Sequence, residues 1–198
     1  MRSKNDSLWV TDIDTVYALS LVDASTQNKV EIPDAKFLND IAISDNGRIY
    51  VSDTLGSAIY EVSGQTYKVF DRGAHLESPN GLLWKDGKLY VAAFGLTSNW
   101  TVKVKGRIYS IDPVTKKIHY ITKSPLGTLD GIEIFGNQIL VSDWREGKVY
   151  SVSFQGESKV LISNLLGAAD IGIVPEKKWL IVPRMAEDLV SFFRLSEE

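Results

Sequence analysis

Short apolar runs alternate with polar turns along the whole chain, and the runs recur at a regular interval. Trp9-Val10-Thr11-Asp12, Tyr50-Val51-Ser52-Asp53, Tyr90-Val91-Ala92-Ala93, Leu140-Val141-Ser142-Asp143 and Leu180-Ile181-Val182-Pro183 follow one another about every forty residues. A second signature lies downstream: Val16-Tyr17, Ile59-Tyr60, Ile108-Tyr109 and Val149-Tyr150. Ahead of the last four runs, always at the same offset, stand Asp40, Asn80, Asp130 and Asp170. Features held in register over a period near forty mark a repeat architecture.

The runs are β-branched and aromatic, as in Ile49-Tyr50-Val51-Ser52 and Tyr67-Lys68-Val69-Phe70, and they have strand length. Asp45-Asn46-Gly47, Ser63-Gly64, Asp86-Gly87, Gly136-Asn137 and Gln155-Gly156 separate them with residues that accept the positive φ of tight hairpins. No segment keeps apolar residues at helical spacing over three turns. The pattern predicts an all-β chain in which each unit is a four-stranded antiparallel sheet, that is, a β-propeller. A stacked β-solenoid is the alternative, but its repeats are shorter and lack alternating hairpins.

The units fall at about 7–32, 38–70, 79–121, 129–162 and 169–195, in a single domain spanning 1–198. The first supplies only its three outer strands and the last only its three inner ones, which predicts three complete and two partial blades. Residues 1–6 read as too short and polar to form the missing inner strand. An incomplete propeller, the C-terminal part of a larger one, is therefore expected, with an exposed blade edge able to pair with a second copy.

In such blades the start of the inner strand, the loop entering it and the loop after the second strand share one face of the disc. Asp40, Asn80, Asp130 and Asp170 then ring the channel mouth, with Asn39 beside them. Carboxylates and amides converging on a narrow opening suit a hard divalent cation, calcium first. The same residues at strand starts also serve to bond loop amides, and both readings stay open. Asp12, Asp53 and Asp143 are read as turn-closing residues. The longest repeat interval places an insertion around Phe94–Lys105, and Trp100 on it would overhang the mouth as a lid or substrate wall. His75 and His119 are lone surface histidines.

Composition narrows the function. Of 198 residues, 22 are basic and 25 acidic, with no Lys/Arg block, so neither nucleic acid nor a membrane surface is an expected partner. The absence of Cys removes disulfides and thiolate metal sites. No signal peptide is visible, and the compartment is undetermined, since a lost N-terminal region could have carried one. No Gly-x-Ser-x-Gly or phosphate-binding fingerprint is present.

Leu38-Asn39-Asp40-Ile41 followed by Gly47-Arg48-Ile49-Tyr50, then Ser78-Pro79-Asn80-Gly81-Leu82 and Leu129-Asp130-Gly131-Ile132, resemble the senescence marker protein (regucalcin)/gluconolactonase family, with strands similar to NHL repeats. The resemblance implies a six-bladed propeller with a divalent cation, often calcium, that hydrolyses lactones or related esters. It implies Asn80 and Asp130 as metal ligands, Asp130 also as the base, and Asn39 as a substrate contact. Asp40 and Asp170 complete the ring by spacing alone. A metal-binding Glu that the family carries on its first blade has no counterpart here, so one expectation is such a hydrolase, or a truncated and inactive version of it. A non-enzymatic propeller that binds a small molecule or protein is the other.

Overall fold

The computed structural model describes residues 1–196. The chain builds five antiparallel sheets arranged as propeller blades. Blade I comprises β1 (Arg2–Lys4), β2 (Ser7–Thr11), β3 (Thr15–Ser20) and β4 (Thr26–Glu31). Blade II comprises β5 (Leu38–Ile43), β6 (Ile49–Asp53), β7 (Ala58–Ser63) and β8 (Thr66–Arg72). In the third repeat, β9 (Pro79–Lys85) and β10 (Lys88–Ala93) are followed by a small hairpin, β11 (Gly95–Leu96) and β12 (Val104–Lys105); β13 (Ile108–Ile111) and β14 (Ile118–Tyr120) then complete blade III. Blade IV holds β15 (Leu129–Phe135), β16 (Gln138–Asp143), β17 (Lys148–Ser153) and β18 (Ser158–Ile162). Blade V has β19 (Gly172–Val174), β20 (Trp179–Arg184) and β21 (Leu189–Arg194).

Two expectations are corrected. The propeller shows five blades, not six, and the first blade is complete: Arg2–Lys4 pairs with β2 in the register Arg2↔Trp9, Ser3↔Leu8 and Lys4↔Ser7. A polar inner strand is physically sound because its side chains face the central channel rather than a core. Arg2 finds acceptors on three other blades, and the Lys4 ammonium donates to the Ser44 and Asp45 carbonyls at 2.5 and 3.0 Å. The open inner edge expected on the first unit is thereby occupied. Only blade V is left partial among the described residues.

Alternating strand residues fill four apolar layers between successive blades. Val16 and Val30 pack with Leu38, Ile41, Val51 and Tyr60 between blades I and II. Tyr50, Ile59 and Phe70 meet Leu82, Leu89 and Tyr109 between II and III, and equivalent layers lie between III and IV and between IV and V. Each fully buried large side chain stabilises the stack by about 1.5–3 kcal/mol. Among the described residues no buried cluster joins blade V to blade I, and Trp179, Val190 and Phe192 of blade V are exposed.

Candidate functional site at the channel mouth

Three of the four ring residues sit at β-bulges of the inner strands, which is why those side chains leave the strand alternation. In blade II the register jumps between Leu38 and Ile41, leaving Asn39 and Asp40 opposite Ser52. Asn80 is the extra residue in blade III, where Ala92 pairs with Gly81 and Ala93 with Pro79. Asp130 and Gly131 bulge opposite Ser142 in blade IV. Asp170 lies two residues ahead of β19.

Serines at matching positions tie these bulges to the next blade. The Ser52 hydroxyl accepts from the Asp40 N–H at 2.9 Å and donates to the Asn80 carbonyl at 2.7 Å. The Ser142 hydroxyl accepts from the Gly131 N–H at 2.8 Å and donates to the Ala169 carbonyl at 2.7 Å. Blade III has Ala92 and Ala93 in this region, and there the Asn80 amide bridges instead, donating to the Leu129 carbonyl at 3.1 Å. Glycine permits the approach: a Cβ on Gly81 would lie 2.1 Å from the Asp130 carbonyl oxygen, and one on Gly131 would lie 2.2 Å from the Ile171 nitrogen.

The structure brings Asp40, Asn80, Asp130 and Asp170 into one electrostatic unit. Asp40 is buried; one carboxylate oxygen accepts the Leu82 N–H at 2.8 Å and the other lies 3.5 Å from the Met1 amine. Burial, and then the neighbouring Asp40 charge, push Asp130 up to about 7, against a hydrogen bond from Asn80. Burial and Asp40 likewise push Asp170 up to about 8. The Asp170 side chain is 40% exposed, yet its Oδ1 is buried without a hydrogen-bond partner. The Asn80 Oδ1 is orphaned in the same way. Buried oxygens without donors are rare in folded proteins and call for a reason.

Countercharge comes from the chain itself. The Arg2 guanidinium donates to Glu133 at 2.6 Å and to the Ile41 and Leu82 carbonyls at 3.3 and 3.2 Å, and it lies 3.8 Å from Asp40. Sequence reasoning missed both Arg2 and Glu133: residues 1–6 read as too polar for a strand, and Glu133 stands on β15 outside the repeated offset. The donor chemistry of the ring, all oxygen with two orphaned atoms, fits a hard cation. As placed, no three His, Cys, Asp or Glu side chains among the described residues approach closely enough to share one ion. An ion here would rest on the Asn80 Oδ1, one or two carboxylates and water.

The insertion reaches residues of neighbouring blades. Trp100 packs edge-on against Phe37 at 4.8 Å and Phe94 at 5.5 Å, and its carbonyl accepts from Arg145 of blade IV at 2.7 Å. Phe37, not singled out from the sequence, precedes Asn39 by two residues, so the insertion is anchored at the entrance to blade II. The Asn39 amide donates to the Thr54 hydroxyl at 3.2 Å. Asp53 accepts from the Lys36, Phe37 and Gly56 amides, and Asp143 from those of Arg145 and Glu146, which is the turn-closing role. His75 is half exposed and pairs with Asp71, while His119 lies on the outer strand β14.

No family profile matches the sequence, and no curated protein does. Solved structures match over nearly the whole chain. A catalytically inactive virginiamycin B lyase from Staphylococcus aureus, with quinupristin, superposes with a TM-score of 0.71 at 14% identity, covering 96% of this chain and 63% of that one. The chain thus spans less than two thirds of that enzyme. The nidogen/laminin complex gives a TM-score of 0.72 at 17% identity, covering 96% of this chain and 76% of that one. A TolB-like protein from Agrobacterium tumefaciens gives 0.67 at 22% identity, with 89% and 65% covered. The fold is a β-propeller. At these identities the likeness concerns the fold alone, and propellers host both enzymes and binding modules.

Proposed function

We propose that the channel mouth is a cation-assisted site for hydrolysis of lactones or related esters, as the resemblance to the regucalcin/gluconolactonase family implies. The observation that carries this reading is the pair of buried, partnerless oxygens, Asn80 Oδ1 and Asp170 Oδ1, among carboxylates that Arg2 and the Met1 amine only partly neutralise. Asn80 and Asp130 would hold the ion, calcium first, with water and at most one further carboxylate from Asp40 or Asp170 completing its shell. When bound, it would supply polarisation of an ester carbonyl and stabilise negative charge on oxygen. Asp130, poised near neutrality by its burial, serves as the base that takes a proton from water. Asn39 and Trp100 orient the substrate between the ring and the lid.

A second reading, a propeller that binds a small molecule or protein without chemistry, is favoured by one specific observation. The Arg2 side chain crosses the channel and consumes acceptors on blades II, III and IV. A screen of aldonolactones and aryl esters, with and without calcium, separates the two. The first reading expects calcium-dependent turnover that Asp130→Asn abolishes. No turnover by the unaltered chain with any of them favours the binding module.

A further inference from the structure

The loop that enters blade III carries backbone strain. Glu77 and Ser78, with φ of 54 and 56°, are the one adjacent pair of left-handed non-glycine residues among the described residues. The short 3₁₀ turns at 175–177 and 185–187 end on a single such residue, Lys178 and Asp188, whereas the turn at 74–76 runs from Glu77 into a second, Ser78. A residue with a Cβ adopts this conformation at a cost, and keeps it only where its surroundings hold it.

An ion pair does the holding. Arg107 donates its backbone N–H and its Nε–H to the Glu77 carboxylate at 3.1 and 2.8 Å, and its Nη2 bonds the same oxygen as Nε. The guanidinium lies 3.7 Å from the centre of the Tyr120 ring, which fixes the fork. The strained carbonyls in turn grip the root of the insertion: Glu77 accepts the Gly95 N–H and Ser78 the Phe94 N–H, each at 2.9 Å. Pro79 and Asn80 follow at once, and the Thr54 hydroxyl donates to the Pro79 carbonyl at 3.0 Å.

The neighbouring blades show what this device replaces. Blades II and IV make the equivalent bond, from the Thr54 N–H to the Phe37 carbonyl at 3.0 Å and from the Trp144 N–H to the Thr128 carbonyl at 2.9 Å, with neither Phe37 nor Thr128 left-handed. There an Asp ends the second strand. Asp53 accepts the Lys36 and Phe37 amides of the entering loop, and Asp143 lies against Gly127, whose added Cβ would come 2.3 Å from its carboxylate. Blade III has Ala93 at that position, and its carboxylate comes from Glu77 in the entering loop itself. Two buried oxygens without partners flank the result: Asn80 Oδ1, and Thr97 Oγ1 on the insertion, whose N–H lies 3.4 Å from the Ser78 hydroxyl.

We propose that Glu77 and Arg107 are a positioning pair that takes the place of this Asp in blade III and, by holding Ser78 left-handed, sets Asn80 and the root of the insertion for the ion. The inference rests on the reading of the mouth as a cation site. Glu77→Gly separates positioning from folding, because glycine suits the left-handed backbone but offers Arg107 no carboxylate. Its calcium affinity, by calorimetry on the folded protein, should fall about tenfold or more, as for other residues that orient a ligand without touching the metal. Glu77→Gln keeps an oxygen for the Arg107 N–H groups and should retain most of the affinity. In the ion-free protein, Glu77→Gly should lose amide-exchange protection at Phe94 and Gly95 and keep it at Thr54 and Trp144, the equivalent amides of blades II and IV. Protection lost at all four amides or at none, or a calcium affinity that Glu77→Gly leaves unchanged, would overturn the inference. If the unaltered chain binds no calcium, the reading of the mouth fails, and the exchange pattern alone decides whether the pair positions this loop.

Discussion

Burial and the Asp40 charge lift Asp130 and Asp170 from the ordinary 3.8 to about 7 and about 8. A folded-state pKa above the unfolded one gives stability that is complete below the unfolded value and lost as pH rises through the folded one. The ion-free protein should therefore lose stability between weakly acidic and weakly alkaline pH, and Asp130→Asn should flatten that loss in denaturant titrations at a series of pH values. Ser142→Ala leaves the Gly131 N–H and the Ala169 carbonyl without partners and should cost about 1–3 kcal/mol in the same titrations. The ring was legible in the sequence because four oxygen-bearing residues kept one offset from an apolar run. Ser52 and Ser142 stood inside those runs, but a hydroxyl bridging two blades has no signature of its own.

At the scale of the element, the bulged inner strands depend on close approach. Gly131→Ala would press a methyl against the Ile171 backbone and should destabilise by about 1–3 kcal/mol, read by thermal unfolding. Strand β1 carries the opposite lesson: it escaped sequence reading because a strand lining a polar channel shows no hydrophobic alternation. Its Arg2 is the link among four blades. Arg2→Met strips Asp40 and Glu133 of their guanidinium and should cost about 3–5 kcal/mol in chemical denaturation, as expected for breaking a buried pair. The lid was legible as an extra-long interval, while its anchor, Phe37, was visible only once the blades were in place.

For the molecule as a whole, the repeat period yielded the sheets and their order, because short strands and tight turns are local. The pattern also gave five units, but the completeness of the first blade depended on one polar strand and was not readable from it. The central claim is that four blades aim the oxygen-bearing residues at the start of their inner strands at one opening that takes a divalent cation. Calorimetric titration with calcium tests it most directly, run near pH 6 and near pH 8 on the unaltered chain and on Asp130→Asn. Ligands that must shed protons bind more tightly as pH rises. The account predicts one calcium per chain, tighter binding at the higher pH, and loss of the heat signal in Asp130→Asn. Absence of binding at both pH values, or binding that Asp130→Asn leaves unchanged, would contradict it.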